Sequence, residues 1–334
     1  MRREDHRGVP QAVLKLSFCM PTYNYGRYIA TALESIRSQS DARVEVVVLD
    51  GGSTDETPQV VRAMAEGWPG LRYVRQDQRG GIDADMARSV ELARGDYCWL
   101  LSADDALQPG AVERLLREFE AGYDIVLCNR TWCDSELSPL RAQAWLNRTR
   151  DAAFDFRDRS QALAYFNAAR SLGGLFSFMS CIGFNRSRWL RTQPAAAVPC
   201  YTHVARLFRM AREGAPLRYI DAPLVLCRGG TDSFRAGGMA GRLLLDLRGY
   251  RQLADALFND DPAAKAAFLA VLRREHPLRR WFDARLQTPD AAQWAEVESE
   301  LRHYGLNSAP LWLVRNCRPA GKLLGLLRRA ARAL

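Results

Sequence analysis

The chain has 334 residues, 48% of them hydrophobic and 25% charged, which suffices for one large domain or two ordinary ones around a substantial core. No apolar run approaches the ~20 residues needed to cross a bilayer, so the composition reads as soluble and globular. The net charge of +9 is almost wholly arginine, with Lys15, Lys265 and Lys322 the only lysines, and it favours an anionic partner: a phosphate-bearing ligand, nucleic acid or an acidic membrane surface. The arginines are spread along the chain without a nucleic-acid motif, so nucleic acid is not expected as a partner. The eight cysteines are scattered, several in apolar runs, and none forms a CxxC pair. That argues against a zinc ribbon or disulfide scaffold and for buried thiols in a reducing cytoplasm.

In chain order, MRREDHRGVPQAV (1–13) is charged, lacks the apolar stretch of a signal peptide and reads as a short disordered lead. LKLSFCM (Leu14–Met20) is a strand. After PTYNYG, the segment RYIATALESIRSQ carries Ile29, Leu33 and Ile36 at helical spacing. VEVVVLD (Val44–Asp50) is a β-branched run of the kind expected in a strand covered on both faces. GGSTDET then opens a second helix through Met64. LRYVRQ is a third strand, GGIDADMARSVELARG a third helix capped by Gly95, and YCWLL a fourth strand. PGAVERLLREFE is a fourth helix and YDIVLCN a fifth strand. This βαβα order predicts a parallel, doubly wound α/β sheet, in which ligands sit outside the carboxyl ends of the strands. Four polar clusters fall at that edge: Thr22–Asn24, Asp50–Asp55, Gln76–Asp85 and Ser102–Asp105.

From Thr131 to Phe234 the pattern is less regular. It holds a helix near Ser160–Ala169, the Gly/Phe/Ser-rich run SLGGLFSFMSCIGFNRSRW, the helix YTHVARLFRMAREG ended by Gly214, and the strand-like RYIDAPLVLCR. Beyond Gly237 the chain reads as helical near 239–258, 262–274, 289–303 and 310–332, and no internal repeat is evident.

Two adjacent carboxylates, Asp104 and Asp105, leave an apolar strand together. Like charges so close need solvation or a counter-ion, although Asp and Ser at a strand end also serve as helix caps. PTYN after the first strand, DGGSTDET after the second and this pair after the fourth resemble the family 2 glycosyltransferases of the GT-A fold. GGIDADMARSVELARGDYCWLLSADD is similar to the branch containing bacterial abequosyltransferases and related O-antigen sugar transferases. The resemblance runs from Leu14 to about Asn129, loosely to about Ser233 and not beyond. It implies a nucleotide-sugar-binding half over 14–130, an acceptor-side half over 131–236 and a helical extension over 237–334.

The implied reaction is metal-dependent, inverting sugar transfer from a UDP-, CDP- or dTDP-sugar to a glycan or lipid-linked acceptor in surface polysaccharide synthesis. The chemistry of the residues agrees. A nucleotide diphosphate leaves as an anion, a divalent cation stabilises it, and Mn²⁺ or Mg²⁺ takes carboxylate, phosphate and water oxygens. By resemblance Asp104 and Asp105 hold the metal, with Ser102 where many relatives carry a third Asp. Asp50 contacts the nucleobase, Thr22 and Tyr23 line its pocket, and Asn24, Gly51 and Ser53 belong to the same donor loops. Ser53 and Asp55 read first as helix caps. Asp83 is expected near the ribose or phosphates. Arg228 and Arg235, in CRGGTDSFR, either close over the diphosphate or form a solvated loop.

Inverting relatives carry a general base before the helix that follows the acceptor segment. That place reads PCYTHVARLF, where His203 is the titratable base, with Asp83 and Asp85 as rivals. The C-terminal LWLVRNCRPAGKLLGLLRRAARAL holds six cations and no acid. It reads as an amphipathic basic helix on an anionic membrane surface or as a packed terminal helix, which would put the protein in the cytoplasm, peripheral to the inner membrane face. Two rivals stay open. A nucleotidyltransferase would show a Gly-rich basic loop after the first strand, which PTYNYG is not. A non-catalytic glycan-binding or assembly protein would lack turnover. Oligomeric state is not legible.

Overall fold

A computed structural model of the chain describes residues 15–230, 237–288 and 290–304. It begins with β1 (Leu16–Thr22), α1 (Gly26–Arg37), β2 (Val44–Asp50), α2 (Thr57–Ala65), β3 (Leu71–Arg75), α3 (Ile82–Leu92) and β4 (Tyr97–Leu100). β1 is buried at every position and β2 at all but Glu45, as strands with helices on both faces require. These strands pair in parallel in the order β3-β2-β1-β4. In α1 the buried Ile29, Ala32, Leu33 and Ile36 form one stripe. Gly95 is not the cap of α3, which ends at Leu92. It is a close approach: a Cβ there would fall 2.5 Å from Ser17 Oγ, to which the Gly95 amide donates at 2.8 Å.

The chain continues through β5 (Ala106–Leu107), α4 (Ala111–Glu120), β6 (Ile125–Cys133), β7 (Pro139–Gln143), β8 (Ala152–Phe154), α5 (Arg159–Ala168), β9 (Ile182–Asn185), α6 (Arg186–Arg191), α7 (Thr202–Arg212) and β10 (Leu217–Cys227). The sheet order is β3-β2-β1-β4-β9-β6-β10-β5, with β7 beside β6 and β8 beside β10. The fold is thus α/β and mostly parallel at its donor end, but the expected fifth strand, β6, does not follow β4 in the sheet. β9 enters between them, antiparallel to both. This four-residue strand comes from the Gly/Phe/Ser-rich run, where no alternation announces it. Gly183 within it admits the ring of Phe119, which a Cβ would meet at 2.9 Å.

Four helices complete the described chain: α8 (Gly238–Phe258), α9 (Pro262–Glu275), α10 (Leu278–Gln287) and α11 (Ala291–His303). Three were expected; α10 was not. The lead 1–13, Arg235 and the basic segment after residue 304 lie outside the described residues. Among the described residues no helix is long and apolar enough to cross a membrane. α9 starts on Asp261, which accepts from the amides of Ala263 and Ala264, with Pro262 at the first helical position.

The C-terminal helices are not a loose appendage. Phe258 of α8 and Phe268 of α9 pack edge-on against Phe166 of α5 at 5.4 and 5.5 Å, and Phe268 meets Phe208 of α7 at 5.4 Å. Such ring pairs add to plain burial. Phe268 is fully buried, so Phe268→Ala is expected to cost about 3–5 kcal/mol, read as a fall in the denaturant midpoint. A loss below about 1 kcal/mol would contradict this docking.

Candidate active site

The loops at the carboxyl ends of β1 and β4 open on a cavity of about 1000 Å³, closed on its far side by residues of α7, α8 and α10. A smaller hollow of about 600 Å³, lined by Lys15, Arg43, Trp68 and Arg94, lies at the other end of the sheet, away from the polar clusters.

The acidic pair faces the larger cavity. The Ser102 amide donates to Ser180 Oγ at 3.0 Å, and that hydroxyl donates to Asp105 Oδ2 at 2.6 Å. Asp105 Oδ1 accepts from the Arg228 amide at 3.1 Å. Both Asp105 oxygens are therefore engaged, on a residue 3% exposed. Ser102 Oγ donates to Asp104 Oδ1; Asp104 Oδ2 has no hydrogen-bond partner among the described residues. Burial first, and the charge of Asp104 second, push the Asp105 carboxyl up to about 7, against the pull of Ser180, the Arg228 amide and the nearby Arg130 charge. A cation would relieve this repulsion. Among the described residues no third His, Cys, Asp or Glu joins the pair. A metal held here would draw its other ligands from phosphate and water, the pattern Mg²⁺ and Mn²⁺ favour.

His203, which also lines the cavity, sits in the first turn of α7 and is 5% exposed. Its Nε2 lies 2.9 Å from the Phe176 carbonyl oxygen. A carbonyl only accepts, so Nε2 carries the proton and Nδ1 carries a lone pair. Nδ1 is buried and has no partner. Burial, foremost, lowers the pKa of the ring, partly opposed by the Phe176 hydrogen bond and the charge of Asp83, so the neutral form is held.

Asp83 does not line the cavity. Its Oδ2 accepts from the Cys200 amide at 2.7 Å and its Oδ1 from the Thr202 amide at 3.1 Å. It ties α3 to the start of α7 and so fixes His203. Phe176 and Cys200, which flank this arrangement, both adopt left-handed backbone (φ 63° and 65°), a conformation non-glycine residues hold only when the surroundings enforce it. Asp85 lines the cavity and accepts from Gln76 Nε2 at 2.8 Å and from the Gly80 amide at 3.3 Å.

The donor-loop residues divide. Thr22 and Tyr23 line the cavity, Thr22 with a buried hydroxyl lacking any partner and Tyr23 with the Arg79 guanidinium 4.9 Å over its ring. Asn24, Asp50, Gly51 and Ser53 do not line it. Asp50 has no exposure. Its Oδ1 accepts from the Ser53 amide at 2.8 Å and its Oδ2 from the Tyr73 hydroxyl at 2.5 Å, so both oxygens brace the loop internally. Ser53 caps no helix; its Oγ accepts from the Asn24 amide at 2.9 Å, while Asn24 Oδ1 accepts from Thr54 at 2.8 Å. Asp55 joins two helix starts, accepting from Thr57 at the start of α2 and Gly26 at the start of α1, both at 3.0 Å. Gly51 packs on Arg79 and Asp85. Arg228 is a strut rather than a lid: its Nε donates to the Asp104 carbonyl at 3.0 Å and its Nη1 to that of Ser135.

Three features escaped the sequence. Ser180 reaches the acidic pair from 75 residues away. Arg130 lies in the cavity wall among aromatic rings. Asp246 of α8 accepts from the Tyr201 hydroxyl and lies 2.9 Å from His276 Nε2. Only Asp246, an acid on an otherwise apolar helical face, carries a sequence signal.

The sequence profile of the family described as Glycosyl transferase family 2 matches residues 17–183. The abequosyltransferase RfbV of Salmonella typhimurium is 33% identical over 270 residues, covering 78% of this chain and 81% of its own length. Among solved structures, Staphylococcus aureus TarS 1–349 in complex with UDP-GlcNAc superimposes with a TM-score of 0.62 at 15% identity, over 87% of this chain and 80% of that one. The mannosyltransferase PcManGT of Pyrobaculum calidifontis, in complex with GDP-Man and Mn²⁺, does so at 0.52 and 19%, over 93% of this chain and 80% of that one. Below a quarter identity these two establish the shared fold.

Proposed function

The chain belongs to glycosyl transferase family 2, and we propose that it is an inverting enzyme that moves a sugar from a pyrimidine nucleoside diphosphate donor to a glycan or lipid-linked acceptor of a bacterial surface polysaccharide. That it is a glycosyltransferase follows from membership; donor, metal and acceptor are the proposal. The observation that carries it is two groups in the wall of one cavity: a carboxylate oxygen of Asp104 with no hydrogen-bond partner among the described residues, and a buried histidine lone pair without one. Buried polar atoms are nearly always satisfied, so the orphaned His203 nitrogen in the cavity wall calls for a ligand.

In this reading Thr22 and Tyr23 hold the nucleoside, and Asp85 faces the sugar side of the donor. Asp104 and Asp105 would hold Mn²⁺ or Mg²⁺, which when bound supplies the charge that stabilises the departing diphosphate. His203 Nδ1 takes the proton of the acceptor hydroxyl as its oxygen bonds to the anomeric carbon. The bond from that carbon to the phosphate oxygen breaks, and its electron pair leaves on the nucleoside diphosphate. Asp83 orients α7 and stabilises the imidazolium that results.

Calorimetry with UDP, CDP, dTDP and GDP, each with Mn²⁺ or with EDTA, tests the donor side. A pyrimidine diphosphate is expected to bind at least tenfold tighter with the metal, the effect of ~1.4 kcal/mol of added attraction. Equal affinity in EDTA would remove the metal from the reading, and no nucleotide binding at all would remove the reading.

A further inference from the structure

Several of the cations lining the cavity already meet partners within the chain. Arg280 pairs with Glu275 at 2.7 Å and Arg242 with Asp246 at 3.3 Å, while the Arg228 guanidinium rests on two carbonyls. Arg130 of β6 is different. No carboxylate of the described residues forms an ion pair with it. Its Nε donates to Gln143 Oε1 at 2.9 Å and its Nη1 to Cys227 Sγ at 3.1 Å; Nη2 has no hydrogen-bond partner among the described residues. Its charge does pull on the nearby Asp105 carboxyl, but without a direct ion pair, so the edge of the fork itself stays unclosed.

The guanidinium is also held in one orientation. Its carbon lies 4.1 Å from the ring centre of Phe178, 4.8 Å from that of Trp145 and 5.1 Å from that of Trp132. The Trp145 ring is in turn seated on Gly173, where a Cβ would fall 2.2 Å from it, so any larger residue at 173 would displace the ring. Cation–π attraction and two hydrogen bonds thus fix the flat fork before any ligand arrives. Gln143, Trp145, Phe178 and Cys227 all line the cavity together with Arg130, so the unpartnered edge opens where substrate would lie.

We propose that Arg130 is the anion-binding residue of this cavity, taking a phosphate oxygen of the substrate on its free Nη2 edge. The inference rests on the reading above in that the cavity takes phosphate-bearing substrates. Two sources supply the same chemistry: the diphosphate of the donor and the phosphate that links a lipid acceptor to its glycan. A fixed guanidinium suits a phosphate oxygen and contributes positive charge to the cavity wall. Caged by rings, the fork pays little ordering entropy on binding.

The test uses the full chain and Arg130→Gln, with calorimetry against UDP plus Mn²⁺, inorganic pyrophosphate, and farnesyl phosphate in detergent. Loss of a charge-assisted hydrogen bond is expected to weaken at least one probe by roughly 10–100-fold, with an unchanged circular dichroism spectrum. Weakening of UDP and pyrophosphate assigns the donor diphosphate; weakening confined to farnesyl phosphate assigns the acceptor. If the glutamine variant does not fold, Arg130→Lys is read in its place: it keeps the charge and loses the planar fork, and weaker binding is again expected. A folded variant that binds every probe within about twofold of wild type overturns the inference and leaves the glycosyl-transfer reading standing. Arginine-dependent binding of pyrophosphate or farnesyl phosphate without any nucleotide binding does the reverse. No binding of any probe to the wild type overturns both.

Discussion

Asp105→Asn is expected to lower turnover by roughly 10²–10⁴-fold while leaving the protein folded. The loss follows from what the carboxylate would do for the reaction: with Asp104 it forms the acidic pair in the described cavity wall, and stabilisation of a departing diphosphate by a bound cation is worth several kcal/mol. The small effect on stability follows from what the carboxylate does in its absence. Asp105 is buried beside another acid, and that environment already pushes its carboxyl up to about 7. Asparagine fills the same volume and removes the repelled charge. Its Oδ1 can still accept from the Arg228 amide, and the Ser180 hydroxyl can turn from donating to Oδ2 to accepting from Nδ2, since the hydroxyl does either. One hydrogen bond weakened costs about 1 kcal/mol, offset by the lost repulsion, so the melting temperature should move by no more than about 4 °C. Two measurements decide: the rate with the donor that binds, and the Mn²⁺ affinity of the folded variant. Melting that falls by far more than this, with activity lost only in proportion to unfolded protein, would make the pair structural.

The parts of this protein legible in its sequence are those whose signal is local. β1 and β2 are runs of apolar residues of the right length, and α1 shows its buried stripe in the spacing of Ile29, Leu33 and Ile36. The acidic pair stands out because nothing apolar explains it. What failed to show depends on partners far along the chain. β9 is four residues in a run of Gly, Ser and Phe, and it becomes a strand because β4 and β6 leave a gap of its width. α10 begins directly after Pro277, and its LRRWFDARLQ sequence is polar enough to pass for a connection.

Site residues divide in the same way. Asp50 looks like a ligand contact because it ends a strand in a polar loop; the hydroxyl of Tyr73, from the next strand, turns it inward. Asp83 looks like a donor contact because it sits in a polar cluster; the amides it accepts from are 117 and 119 residues later. Arg130 reads as an ordinary strand residue until Trp145 and Phe178 arrive from either side of α5. Sequence pattern marks where polar groups gather, and the tertiary hydrogen bonds decide which of them remain available to a substrate.

His203→Ala is expected to lower turnover by roughly 10²–10⁴-fold, the span of a positioned general base, with donor affinity within about twofold because the ring faces the acceptor side. The pH dependence gives a separate signature. Only the neutral ring accepts a proton, so the rate should rise with pH through the His203 pKa and level off above it. Burial sets that pKa below the ordinary ~6.5, with the Phe176 hydrogen bond and the Asp83 charge opposing. The acidic limb of kcat/KM should therefore have its midpoint below about 6.5 and disappear in the alanine variant. Asp83→Asn separates the two roles once offered for that neighbourhood. If Asp83 only positions α7 and stabilises the imidazolium, its loss removes a term that raises the histidine pKa, so the limb moves to still lower pH and persists. If Asp83 is itself the base, Asp83→Asn abolishes the limb, and His203→Ala retains more than about a third of wild-type turnover, well short of the loss a base should show. Because Asp83 does not line the cavity and its oxygens already accept from the Cys200 and Thr202 amides, the first pattern is the one expected.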